Sequence, residues 1–212
     1  MPETSAASSG ASPAHGSLIG RLWPASLPSW SVLRGVLLVA VGTALLTLSA
    51  KINVPLPYVP MTMQSFVVLL IGAAYGWRLG VATIIAYLAE GALGFPVFAG
   101  PVGGVAVMMG ATGGYLAGFV VAAFLMGWLS ERGWDRSGLS VLSVVGLTVA
   151  MCIGHAVILA FGFAWLVAGI RIGVDKAWLV GVVPFIVGSV VKSVLGAALL
   201  PLMRRRADRS RE

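Results

Sequence analysis

Between Val32 and Met203 the chain alternates long apolar stretches with isolated charges. Uncharged runs cover 35–50, 52–77, 79–89, 91–130, 137–170 and 177–191. A helix needs about 20 residues to cross the hydrocarbon core of a bilayer. The runs therefore accommodate six crossings, and they predict helices over 33–50, 62–77, 79–93, 112–130, 140–168 and 178–203. The expected fold class is an all-α integral membrane protein. Its expected organisation is an N-terminal tail over 1–31, a six-helix transmembrane domain over 32–203 and a basic tail over 204–212. Two connections interrupt the helical pattern. Residues 53–61, NVPLPYVPM, contain three prolines, which favour extended backbone. Residues 94–114 are apolar but too rich in Gly and Pro to make a good helix. Irregular backbone at membrane depth is tolerated only where protein covers it or a cavity adjoins it. Both segments are thus expected to wall and cover a pocket.

Composition agrees with a membrane solvent. Hydrophobic residues make up 58% of the chain and charged residues 10%, where a soluble domain carries about 25% charged residues. The 28 glycines suit helices packed backbone to backbone in lipid. A single cysteine, Cys152, excludes an internal disulfide and the paired thiols of a structural zinc site. Residues 1–20 lack the basic start and apolar run of a cleaved signal peptide, and Arg21–Trp30 reads as an interfacial anchor.

The net charge of +7 is first a topology signal. With six crossings both termini share a side, and that side holds Arg21, Arg34, Arg78, Arg132, Arg136 and the five arginines of the tail. Lys51, Arg171 and Lys176 fall opposite. The positive-inside bias makes both termini cytoplasmic and the pocket outward-facing. A basic tail beside a bilayer meets anionic lipid, so no nucleic-acid partner is expected.

Charge inside a membrane helix costs about 2.5–3.5 kcal/mol even on insertion scales, and marks function. Lys192 lies inside the expected last helix, with Ser189 three residues earlier on the same face. Either the pair captures an anionic solute, or Lys192 is paired with Glu90 or snorkels to the interface. Glu90, late in the third helix, reads as a partner for Lys51 or Lys192 or as a protonated carboxyl bonded to backbone. His155 reads as a helix-to-helix hydrogen bond. Thr62, Gln64, Thr112 and Tyr115 open helices at the outer side, where they either cap free amides or line the pocket. Phe95, Phe98 and Tyr115 either pack on a flat ligand or anchor the interface. Catalytic patterns are missing. The segment GSVVKS at 188–193 has Val191 where a phosphate loop needs glycine, and no nucleophile elbow or His-Glu-x-x-His pattern occurs. The chain is not expected to be an enzyme or to bind a metal or cofactor.

Three stretches resemble a known family: AKINVPLPYVPMTMQSFVVLLIGAAYGWRLG at 50–80, AYLAEGALGFPVFAGPVGGVAVMMGATGGYLAGF at 86–119 and AWLVGVVPFIVGSVVKSVLGAAL at 177–199. They are similar to BioY, the substrate-binding S component of energy-coupling-factor (ECF) biotin transporters. The resemblance implies a six-helix fold in the bacterial cytoplasmic (inner) membrane. It further implies that biotin is captured from outside and delivered with a transmembrane coupling subunit and two ATPase subunits, which would hydrolyse the ATP. The family pattern Pro-Phe-x-x-Gly-Asp-x-x-Lys matches Pro184, Phe185, Gly188 and Lys192, but Ser189 stands where the aspartate is expected. Serine is a neutral and weaker acceptor, so either affinity is lower or Glu90 supplies the acceptor. Small residues that admit the coupling subunit are implied at Ala40 and Ala44, which share a helix face.

The resulting expected binding set is Thr62, Gln64, Tyr87, Glu90, Phe98, Gly100, Thr112, Tyr115, Ser189 and Lys192. Lys192 neutralises the carboxylate or polarises the ureido carbonyl, and residues 94–110 close the top. Other readings are a proton-coupled secondary transporter of a small anionic solute with Glu90 as its proton site, a carrier of another vitamin, and a membrane scaffold that binds no small molecule.

Overall fold

A computed structural model describes residues 28–133 and 141–209, with the side chains of 28–31, 141–143 and 203–209 left aside. The tail over 1–27, the anchor residues before Pro28, Arg136 and residues 210–212 lie outside the described part. The chain runs α1 (Pro28–Lys51), β1 (Asn53–Val54), β2 (Met61–Thr62), α2 (Gln64–Tyr75), α3 (Trp77–Ala92), α4 (Val105–Met108), α5 (Gly113–Glu131), α6 (Val141–Ala168), α7 (Val174–Gly181) and α8 (Val183–Arg209).

Helices occupy each of the predicted stretches, but four segments have the length and apolarity to cross a bilayer: Val32–Lys51, Gly113–Glu131, Val144–Ala168 and Val174–Leu202. The second and third expected helices are shorter, at 12 and 16 residues, or about 18 and 24 Å at 1.5 Å per residue. Two causes are local. The expected start at 62 falls in β2, which pairs antiparallel with β1 in the register Asn53–Thr62 and Val54–Met61. At the other end Gly76 adopts φ 81°, which ends α2, and its amide donates to Gly72 O at 3.0 Å. That left-handed backbone favours glycine, and α3 starts on the next residue, so α2 and α3 form a hairpin. The expected last helix is broken at Val182 into α7 and α8. Helix α1 starts at Pro28, ahead of the expected 33, and α8 continues through the basic residues to Arg209.

Helix α5 is central. In its most apolar window 56% of residues are buried, against 28% in α1, so α5 packs on neighbours over most of its surface, leaving a face at Ala117, Val121 and Phe124 exposed, while α1 is peripheral. The core joins Leu46, Val68, Leu69, Ile84, Phe119, Ala122, Met126, Met151 and Leu166. Large apolar side chains also point outward, among them Val36, Val41, Leu45 and Leu48 on α1 and Val187, Val190, Val191 and Val194 on α8. A belt of this kind is solvated by lipid tails rather than water, and the protein is a membrane protein.

Candidate ligand-binding site

A cavity of about 290 Å³ opens between α6 and the N-terminal halves of α2, α5 and α8, beneath the β1–β2 and α3–α4 connections. That volume sits at the small end of ligand pockets, about 300–1,000 Å³. Its wall is mostly apolar: Val59 and Pro60 from the β1–β2 connection, Phe98 and Ala99 from the α3–α4 connection, Val107 of α4, Leu116 and Phe119 of α5, Ile158 and Leu159 of α6, and Phe185 of α8. Into it come Thr62, Gln64, Ser65, Gly100, Thr112, Tyr115, His155, Ser189 and Lys192.

Lys192 is 8% exposed. Its ammonium donates to Thr62 O at 2.6 Å and to Ser65 Oγ at 3.3 Å. Two of three donors are thus engaged by neutral acceptors, and among the described residues no carboxylate neutralises the charge. The expected pairing with Glu90 does not form. Nor does Glu90 pair with Lys51, which donates to Phe98 O at 2.7 Å and Gly100 O at 2.8 Å. Glu90 stands outside the cavity wall, half-buried in the last turn of α3.

Tyr87 also stands outside the wall, fully buried behind Gln64. Its hydroxyl donates to Val97 O at 2.8 Å and faces Gln64 Nε2 at 2.6 Å. Because that hydroxyl hydrogen is committed to Val97, the Gln64 atom facing it must be the amide NH2, which leaves the Gln64 carbonyl as the group free to turn elsewhere. Tyr87 therefore positions Gln64. Phe98 packs edge-on against Tyr87 with ring centroids 5.6 Å apart, so one buried unit joins the site to the α3–α4 connection.

Thr62 Oγ1 accepts the Gln64 amide at 3.2 Å, satisfying a free donor at the start of α2. Thr112 provides no such cap and makes a long 3.4 Å bond to Val107 O. Tyr115 lines the pocket as expected, but its hydroxyl donates to Gly181 O at 2.7 Å. What Tyr115 brings to the wall is its ring, beside Phe185 at 5.9 Å. Phe95 is exposed and lies outside the wall. Ser65, Phe119, Ile158 and Phe185 were not expected there. Phe185 matches the family pattern without being part of the expected binding set, and nothing local in sequence marks Ser65.

The irregular cover is tied to the bundle by side chains at three points: Lys51 holds Phe98 and Gly100, Tyr87 holds Val97, and Trp165 Nε1 donates to Gly110 O at 2.9 Å. Residues 94–104 thus roof the cavity while being held by side chains of α1 and α3. On α1, Ala40 and Ala44 are both exposed and lie outside the cavity wall.

Comparison with known proteins follows this architecture. A solved S-component for biotin from an ECF-type ABC transporter superposes with a TM-score of 0.73 over 85% of this chain and 95% of that one, at 23% identity; the likeness is one of fold. A probable biotin transporter, BioY, of Pyrococcus horikoshii is 41% identical over 158 residues, 74% of this chain and 88% of its own length. The biotin transporter BioY of Thermotoga maritima is 35% identical over 176 residues, 83% and 98% respectively. The sequence pattern of the BioY family matches residues 22–209. With that match extending through both irregular segments and the buried lysine, the chain belongs to the BioY family.

Proposed function

We propose that the protein is the S component of an ECF transporter and captures biotin in this cavity. The observation that carries the reading is Lys192: a buried cation in a ligand-sized apolar cavity, held among the described residues by neutral oxygens alone. An uncompensated buried charge is costly, and a ligand that presents an anion or a carbonyl dipole removes that cost. Biotin has both, together with an apolar ring and chain for Phe98, Phe119, Phe185 and Ile158. Burying its four chain methylenes contributes about 3 kcal/mol at about 0.8 each. Polar groups at Gln64, Ser65 and Ser189 then set identity.

In this reading α1, α2, α3, α5, α6 and α8 are six crossings, the two short ones being completed by the β-hairpin and the 94–104 cover. Both termini are cytoplasmic and the cavity faces outward, in a bacterial cytoplasmic membrane. A transmembrane coupling subunit docks on the exposed Ala40–Ala44 face of α1, and two ATPase subunits supply the energy. The location of Glu90 outside the wall argues against a proton-coupled site at that carboxyl.

Calorimetry on the purified chain with biotin, thiamine and riboflavin tests the proposal. Saturable binding is expected for biotin alone, and Lys192→Ala weakens it by about a hundredfold or more. Unchanged affinity in that variant removes Lys192 from the site. Reconstituted alone, the chain is expected to bind biotin without concentrating it; uphill uptake driven by a proton gradient overturns the ECF assignment.

A further inference from the structure

One buried polar group in the cavity wall has no role so far. His155 stands on α6, 3% exposed. Its Nδ1 lies 3.0 Å from Met151 O and 3.1 Å from Ser193 Oγ. A carbonyl only accepts, so in the neutral ring Nδ1 carries the proton and Nε2 the lone pair. Ser193 agrees with that assignment, because its own hydroxyl hydrogen is given to Ser189 O at 2.8 Å and its oxygen is left to accept. The tautomer and the ring's orientation are therefore fixed from one side, by α6 and α8 together. Nε2, on the opposite edge of the ring, is buried and has no hydrogen-bond partner among the described residues. A buried acceptor without a donor is unfavourable, and the fold makes no use of this one.

We propose that His155 Nε2 accepts a hydrogen bond from an N–H of the bound ligand, supplying the acceptor that the neutral Ser189 provides only weakly. The inference rests on the biotin reading, in which the ureido ring carries the N–H groups. It also selects between the two roles of Lys192. A carboxylate placed at Lys192 would turn its lone pairs on Nε2, whereas a ureido group presents a carbonyl to the ammonium and an N–H to the imidazole side by side. Met151 O and Ser193 act as positioning groups, since they hold the proton on Nδ1 and keep Nε2 an acceptor.

The chain has two histidines, so ¹⁵N-histidine spectra of the full chain in detergent resolve His155 once His15→Ala has assigned the other. Adding biotin is expected to move the Nε2 resonance of His155 upfield, in the sense of an acceptor gaining a donor, and to leave Nδ1 nearly unmoved. In parallel, calorimetry compares biotin with its two ureido N-methyl isomers. Methylating the N–H that faces His155 is expected to weaken binding about ten- to a hundredfold. His155→Ala is expected to weaken biotin by a similar factor and to abolish discrimination against that isomer, because the methyl then fills the vacated space. If this variant does not fold, the unaltered chain still decides. Biotin binding with an unmoved Nε2 resonance, and with both isomers bound as well as biotin, overturns the role of His155 while leaving the biotin site intact. Absence of any biotin binding by the unaltered chain overturns the parent reading and this one with it.

Discussion

The two ends of the bundle share close helix contacts and side-chain tethers, but one of them encloses a void. At the cavity end, side chains reach across long sequence separations to backbone carbonyls: Lys51 to Phe98 and Gly100, Lys192 to Thr62, Tyr115 to Gly181 and Trp165 to Gly110. At the opposite end backbones touch, as they also do beside the cavity, where a Cβ added at Gly114 would overlap Phe161 O. A Cβ added at Gly72 would lie 2.6 Å from Ala123 O, and one at Gly127 would overlap the Trp77 backbone. Short bonds reinforce the contact there, with Ser130 Oγ donating to Ala73 O at 2.7 Å and the Trp77 amide donating to Glu131 Oε1 at 3.2 Å. Close packing gives the second end rigidity but no room. Polar tethers let the first end carry irregular backbone over a void, because they satisfy buried carbonyls without filling space.

The sharpest break of this contrast is Gly127→Leu. The new side chain has no space against Trp77, so the variant is expected to lose about 3 kcal/mol and to yield little monodisperse protein in size-exclusion chromatography. Normal thermal unfolding would show that the far end is looser than its contacts imply. Next comes Tyr87→Phe, which strips the Gln64 amide and Val97 O of their partner. Removing one such group costs about 1–3 kcal/mol. Biotin affinity is expected to fall about tenfold with the chain still folded, and calorimetry beside a melting curve separates the two effects. An unchanged affinity would mean that Gln64 keeps its pose without Tyr87.

Lys51→Met is a milder change. It releases the Lys51 tie of the 94–104 cover and leaves that of Tyr87 to Val97, and biotin dissociation, followed by stopped flow, is expected to quicken about threefold, with little change in melting temperature. Slower or unaltered release would make the Lys51 bonds incidental to closure. The smallest effect on the isolated chain is expected from Ala40→Leu. That position is exposed and away from the cavity, so biotin binding stays as it was, whereas uptake by vesicles containing the coupling and ATPase subunits is impaired. Weaker binding in the isolated chain would show that α1 and the cavity are energetically joined.

Much of the site was legible from residue type and spacing. Ser189 and Lys192, three apart on one helix, do face the same cavity, and Thr62, Gln64, Phe98, Gly100, Thr112 and Tyr115 join them in its wall. These residues sit at helix ends or beside Pro- and Gly-rich segments, where local sequence already forbids a continuous helix. Partners were less legible than members. Tyr87 reads as another apolar-face aromatic until its hydroxyl is seen between Gln64 and Val97. Tyr115 reads as a donor to ligand until Gly181 takes its hydrogen. Glu90 and His155 exchange importance: the carboxyl lies outside the wall and the imidazole lies within it.

By itself the sequence determined the solvent and the helices. Apolar runs of bilayer length have no stable alternative to hydrogen-bonding their own backbones, and that constraint is local. It also determined that a charge at position 192 had to be accommodated somewhere inside. Tertiary structure alone decided by what. Lys192 meets Thr62 across 130 residues, and Gln64 meets Tyr87 across 23. Helical periodicity fixes which residues share a face, but which faces meet, and at what height, depends on how helices seat against one another through side chains as small as Gly72 and Gly127.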